Sequence, residues 1–325
     1  MKKTQEKQAN PAGFVRGGAE IVKAERAEEN VVTHRLSIPK AWKMYVGGAF
    51  VRSESGRYFQ VVGATESADA NTTNIPLASR KDFRDAMGVA QAAQPKWAAR
   101  TAYNRGQILY RLAEILEARS EELVRSLVRG GATEAEAALE VAAAIDRSVY
   151  YAGFADKIGA LLASSNPVAG PHFAFTVPEP IGVFAVLAPQ KLPLLGLVTA
   201  ILPLVCAGNT VVAVGSDLDP RTVITFCEAL ATSDFPGGVI NVLTGRAKEL
   251  APWFVKHREV RAIEAYSDDA ALLAELERGS ADAVRRTKTH HAVAREWFFD
   301  DRRGQGLGFL ERAVEHKSIW HPVGL

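Results

Sequence analysis

The chain has 325 residues, 47% of them hydrophobic, and a formal net charge of +2, so it is long enough to bury a large core and to divide into two domains. Near-neutral charge without a basic run interleaved with aromatics excludes a nucleic-acid partner. The longest apolar stretch, Leu192 to Ala207, falls short of the ~20 residues of a membrane span and carries Pro193 and Pro203, so a buried helix is expected there and no membrane partner.

Residues 1–42 are polar and mixed in charge, and are expected to form a flexible arm. The start, Met1-Lys2-Lys3 followed by Thr4, Gln5 and Glu6, lacks the apolar run of a secretory signal, which points to the cytoplasm. From Met44 to Val51 the β-rich residues around Gly47-Gly48 read as a hairpin, and Tyr58 to Val62 as another strand. Ser79 is a candidate N-cap for a helix over 80–93, and apolar spacing places further helices over 102–118, 121–128 and 133–151. The pattern turns to β over His172–Val177, then again over Ile181–Leu187 after the break Pro178-Glu179-Pro180. The second run is apolar throughout, as a strand covered on both faces requires. Helices over 193–206, 221–231, 248–256 and 269–278 then alternate with strands over 210–214, 239–243 and 261–265. That rhythm predicts an α/β fold with a doubly wound, Rossmann-like nucleotide domain preceded by helices.

Four segments of this region, in this order and spacing, resemble the aldehyde dehydrogenase family: Glu179 to Val183, Ala207 to Val212, Phe235 to Gly245, and His257 to Ile263. The resemblance reaches back to Tyr45-Val46-Gly47-Gly48 and covers most of 43–280. Part of it has a direct physical reason, since Gly208 can end a helix and Gly237-Gly238 permit a tight turn. The resemblance implies candidate cofactor positions at Pro189, Asp217 and Gly245.

At other family positions the residues differ. Where the family has Pro-Trp-Asn-Phe-Pro, with an Asn that holds an oxyanion, this chain has Pro189-Gln190-Lys191-Leu192-Pro193. Lysine cannot present an amide donor there, so Lys191 is expected to face solvent or a partner rather than to act in catalysis. The family's Lys and Glu for the adenosine ribose correspond to Val214-Gly215-Ser216-Asp217. Asp217 either accepts from ribose hydroxyls or caps the helix that starts near Pro220. The family's Gly-Ser pair for the pyrophosphate corresponds to Ser267-Asp268, where a carboxylate repels an anion but makes an ordinary N-cap. These changes imply no cofactor, or weak NAD(P) binding.

The family's Leu-Glu-Leu-Gly-Gly-Lys segment, with its general base, corresponds to a region beginning at Thr287-Lys288-Thr289-His290-His291, and no cysteine follows Cys227. The catalytic domain is therefore expected to be missing, and no catalytic residue is assigned. Cys206 and Cys227 form neither a CxxC pair nor a disulfide framework, and are expected to be buried and inert. Adjacent His290 and His291, without a cysteine or carboxylate cluster, do not suggest a metal site.

The end of the chain, Phe309 to Leu325, is similar to the family's C-terminal strand, which joins a hairpin matching Phe173–Val177 in an oligomerisation sheet. The organisation expected is an arm over 1–42, a nucleotide-binding domain over 43–285 with an oligomerisation hairpin at about 171–178, a linker over 286–308 replacing the catalytic domain, and a C-terminal oligomerisation strand over 309–325. The function implied is a catalytically inactive homologue serving as a structural or regulatory subunit, in a homo-oligomer or a hetero-oligomer with a full-length aldehyde dehydrogenase. Two alternatives are an NAD(P)-dependent aldehyde dehydrogenase completed by a partner chain, and a dinucleotide-binding sensor.

Overall fold

Gly47 and Gly48 take φ values of +66° and +84°, the left-handed pair of a two-residue hairpin turn, and join strand β1 (Met44–Val46) to β2 (Ala49–Val51). The computed structural model describes residues 38–63 and 72–324, so the arm expected over 1–42 lies almost wholly outside the described residues. A separate ribbon follows, β3 (Tyr58–Val62) against β4 (Thr72–Pro76).

Ser79 caps α1 (Arg80–Ala98) as a capping box: its hydroxyl accepts from the N–H groups of Lys81 and Asp82, and the Asp82 carboxylate accepts from the Ser79 N–H. This helix runs past the expected end at Ala93 and through Pro95. Trp97 explains the extension, being buried, with its indole N–H donating to the Val205 carbonyl at 2.9 Å. Helices α2 (Ala102–Ala118), α3 (Ser120–Arg129), α4 (Glu134–Phe154) and α5 (Ile158–Leu162) follow.

The next strands are β5 (Ser164–Asn166), β6 (His172–Pro180) and β7 (Val183–Leu187), after which α6 (Leu195–Cys206), β8 (Thr210–Val214), α7 (Pro220–Ala231), β9 (Ile240–Leu243), α8 (Ala247–Lys256), β10 (Ala262–Ser267) and α9 (Ala270–Ala281) alternate. The chain closes with β11 (Arg286–His291), α10 (Arg295–Phe299), α11 (Leu307–Glu311) and β12 (Val314–Pro322). The main sheet has the order β11-β10-β7-β8-β9-β1-β2, parallel from β11 to β9, with β1 and β2 added antiparallel.

Period-two alternation divides the core. Val183, Ala185 and Leu187 of β7 pack with Phe83 of α1, Phe254 of α8 and Leu273 of α9, whereas Phe184 and Val186 face the opposite layer of α2, α4, α6 and α7. All of α6 is buried, as its unbroken apolar sequence requires, and no described helix is long and apolar enough to cross a membrane.

Strand β12 pairs antiparallel with β6 over nine residues, from Val314 opposite Pro180 to Pro322 opposite His172. Pro178 and Pro180, expected to interrupt the strand, belong to it because β5 reaches only Ala174–Thr176 and beyond that β6 is an edge, where proline is tolerated. The segment 286–308, expected as a linker, is a correction: it supplies edge strand β11, parallel to β10 over six residue pairs, and helix α10. Its β-branched Thr287 and Thr289 at a spacing of two suit that edge position.

Candidate functional site

In an open α/β sheet a crevice forms outside the carboxyl ends of the strands where the chain's winding reverses. Here those strands are β7 and β10. Pro189, Gln190, Lys191 and Leu192 leave β7 along one wall; Tyr266, Ser267, Asp268 and Asp269 leave β10 along the other; His290, Val293, Arg295 and Phe298 close the third side. The crevice has a volume of about 230 Å³.

Its rim is a set of paired charges. Lys191 Nζ lies 2.9 Å from Asp268 Oδ2, with both side chains more than half exposed, and Lys248 Nζ lies 2.8 Å from Asp269 Oδ2. The Lys248 partner and the N–H groups of α9 hold the Asp269 carboxyl below the usual carboxylate range. Arg295 reaches Glu136 at 3.3 Å, and Arg246 reaches Asp217 at 2.8 Å.

The floor is buried and aromatic. Glu264, in the middle of β10, is 3% exposed, and its Oε1 receives His290 Nε2 at 2.7 Å, Arg312 Nη2 at 3.3 Å and the Tyr266 hydroxyl at 3.4 Å. The His290 ring stacks on Tyr266 with centroids 4.1 Å apart and planes 3° apart. Burial pushes the Tyr266 phenol well up. Behind the floor, buried Arg147 donates from Nη2 to the Phe298 carbonyl at 2.6 Å and from Nη1 to Thr199 Oγ1 at 2.5 Å, tying α10 to α6.

The residues singled out in the sequence fall in three places. Pro189 and Lys191 both line the crevice. Asp217 stands at the end of β8, joined to the crevice by its N–H donating to Gln190 Oε1 at 2.9 Å. It does not cap α7; that cap is Asp219, whose carboxylate accepts from the Thr222 N–H. Gly245 lies past the end of β9, beside Ala78 and Leu250, and is not a crevice residue. The cap of α9 is likewise Asp269 and not Asp268, which turns outward to Lys191. Glu264 was not among the residues singled out, and His290 was, only as part of the segment at the family's general-base position and as an unsuited metal ligand; a lone carboxylate inside the apolar run Ala262-Ile263-Glu264-Ala265-Tyr266 was the available signal.

The pyrophosphate of a dinucleotide does not fit these residues. The N–H groups of Ala271 and Leu272 that open α9 already donate to Asp269 Oδ1, at 3.0 and 3.2 Å. At α6 the N–H groups of Leu194 and Leu195 donate to Glu140 Oε1, at 2.9 and 3.1 Å. Burial raises the Glu140 carboxyl, opposed by those two bonds. Anion-binding donors at both helix starts are therefore satisfied internally.

The sequence profile described as the aldehyde dehydrogenase family matches residues 50–270. Cytosolic 10-formyltetrahydrofolate dehydrogenase of Xenopus tropicalis is 30% identical over 251 residues, 76% of this chain and 27% of that protein. The solved structure of PnpE from Pseudomonas sp. WBC-3 superposes with a TM-score of 0.72 at 28% identity, covering 78% of this chain and 51% of that one. A 3,6-anhydro-L-galactose dehydrogenase solved in complex with NAP superposes at 0.71 with 23% identity, over 78% and 52% of the two chains. The chain thus spans about a quarter of the curated relative and half of the solved ones.

Proposed function

Since the chain belongs to the aldehyde dehydrogenase family, matched over residues 50–270, we propose that it is a non-catalytic member: a structural or regulatory subunit that assembles with itself or with a full-length aldehyde dehydrogenase. The observation that carries this reading is the position of its sulfur. The sequence holds two cysteines, and both are buried in helices. Cys206 on α6 donates to the Tyr151 carbonyl, and burial pushes its thiol up to about 12; burial pushes Cys227 on α7 up as well. Neither lines the crevice. Aldehyde oxidation through a covalent intermediate needs a thiolate within reach of the substrate, and this chain offers none.

Two further features support the reading. The chain passes from β11 to β12 through α10 and α11, each of five residues, with no room for a domain between them. The β12–β6 pair leaves Phe173 and Trp320 more than half exposed, an apolar surface of the kind a partner covers. The cytosolic setting in the relative's name suits a chain whose two thiols are free, and is extended to this one.

A second reading, an NAD(P)-dependent enzyme whose site is completed by a partner chain, is favoured by the crevice at the point where the winding reverses and by Asp217 at the end of β8. The sensor reading needs dinucleotide binding without chemistry. The purified chain is expected to oxidise no aldehyde in a panel with NAD or NADP, to bind either nucleotide weakly at most, and to form an oligomer or a mixed complex with a full-length family member in native mass spectrometry. Turnover by the chain alone refutes the non-catalytic role; a monomer that ignores the full-length protein refutes assembly. Tight nucleotide binding without assembly supports the sensor.

A further inference from the structure

At the crevice, His290 Nδ1 is a hydrogen-bonding atom that no described residue uses. Glu264 Oε1 already accepts from Arg312 and from the Tyr266 hydroxyl, so it acts as an acceptor toward His290 as well. The imidazole proton of a neutral His290 is thereby placed on Nε2, which leaves a lone pair on Nδ1. No hydrogen bond from a described residue reaches Nδ1, and the His290 side chain borders the crevice. Its ring cannot swing freely, being clamped by the stack on Tyr266 and by the bond to Glu264.

The surroundings restrict what meets that atom. Each charge at the crevice has an opposite partner: Lys191 with Asp268, Asp269 with Lys248, Arg295 with Glu136, and Glu264 with Arg312. Among the described residues, no unpaired charge lines the crevice to draw in an ion. Pro189, Leu192, Val293 and Phe298 contribute apolar surface to the crevice. A dry apolar cavity of ~150 Å³ holds benzene. The 230 Å³ found here admits one ring with small substituents but encloses no dinucleotide.

We propose that this crevice binds a small uncharged molecule with a compact apolar body, one aromatic ring in size, and a hydroxyl group that donates to His290 Nδ1. The proposal is independent of whether the chain assembles or turns over aldehydes, so each can fail without the other.

Phenol and toluene are the probes, since they are nearly the same size and differ in the hydroxyl. The full chain, labelled with ¹⁵N-histidine, is titrated with each and followed by calorimetry and by the imidazole nitrogen signals. Phenol is expected to bind about tenfold more tightly than toluene, against their order of hydrophobicity, and to move the Nδ1 signal of His290; one net hydrogen bond is worth about that factor. His290→Phe keeps a ring over Tyr266 and removes the nitrogen. It is expected to lose that tenfold for phenol and to leave toluene unchanged. The proposal is overturned if toluene equals or exceeds phenol on the unmodified chain, if neither probe binds at millimolar concentration, or if a folded His290→Phe retains the affinity for phenol. Should that variant not fold, the phenol and toluene comparison on the unmodified chain decides alone.

Discussion

Replacing Glu264 by Leu removes a carboxylate that is 3% exposed and holds three donors on one oxygen. The Arg312 guanidinium then loses its only ion-pair partner among the described residues, while its Nε is already buried without a hydrogen bond. Breaking a buried pair from one side costs about 3–5 kcal/mol. Because the Arg312 side chain is 32% exposed and can turn toward water, the low end, about 3 kcal/mol, applies to Glu264→Leu. Arg312→Leu should cost a similar amount, about 3 kcal/mol, since the carboxylate it leaves lies deeper than the guanidinium but keeps the His290 and Tyr266 donors. The double variant strands neither charge and leaves His290 and the Tyr266 hydroxyl without their acceptor, a loss of about 1–2 kcal/mol. Urea unfolding followed by circular dichroism measures all three, and Glu264→Leu should lower the melting temperature by roughly 6 °C at about 2 °C per kcal/mol for a chain of this size. If the double variant is less stable than either single one, or if Glu264→Leu costs under about 1 kcal/mol, the buried-pair reasoning is wrong.

Gly237→Ala would place a Cβ 2.4 Å from the Gly47 carbonyl oxygen, so it should cost upwards of about 2 kcal/mol in the same assay, as overpacking against backbone does. Gly88→Ala, inside α1 with no neighbouring atom within 4 Å, should instead stabilise by about 0.5–1 kcal/mol. Lys191→Ala breaks a pair whose members are 68% and 61% exposed, and thermal melts should show a change below about 0.5 kcal/mol. Both thiols should resist a thiol-specific disulfide reagent at pH 8 in the folded chain and react fully once it is unfolded in urea; a fast-reacting thiol in the folded chain contradicts their burial. Their raised pKa values favour the protonated form in the folded state. That contribution is complete below the unfolded thiol's pKa near 9 and is lost as pH rises toward 12, so denaturant midpoints should fall across that interval.

The middle of the parallel sheet was legible because β7 is an unbroken apolar run of five residues, and β8 appears where the sequence predicts it, at Thr210–Val214. Ser79 was equally plain, since the capping box is written within four residues. What the sequence hid depends on contacts across long separations. Trp97 carries α1 past Pro95 only because the Val205 carbonyl is there to meet it, 108 positions later. Glu264 and His290 are 26 positions apart and become neighbours through the register that sets Tyr266 beside His290. Lys191 and Asp268 were each readable as departures from a family pattern, but the ion pair between them depends on β7 and β10 lying side by side. Neighbouring acids also misled: Asp217 and Asp219, like Asp268 and Asp269, are equivalent by composition, and backbone geometry decides which of each pair caps the helix.

These caps bear on why a nucleotide-type fold persists without residues suited to a nucleotide phosphate. A helix N-terminus at the carboxyl edge of a parallel sheet exposes unpaired N–H groups and the positive end of a dipole, and it favours an anion. In this chain the anion is internal at three such positions. Glu140 reaches from α4 to the start of α6, Asp219 serves α7, and Asp269 serves α9. The Glu140 carboxylate comes from a different helix, 54 residues earlier, so it also fixes how α4 docks on α6. With these donors satisfied and the rim charges paired, the crevice has no remaining electrostatic demand for phosphate. Its unused capacity is the lone pair of His290 Nδ1 and the apolar surface of the crevice. The same carboxylates that make the scaffold self-sufficient leave the crevice suited to the small neutral ligand proposed above.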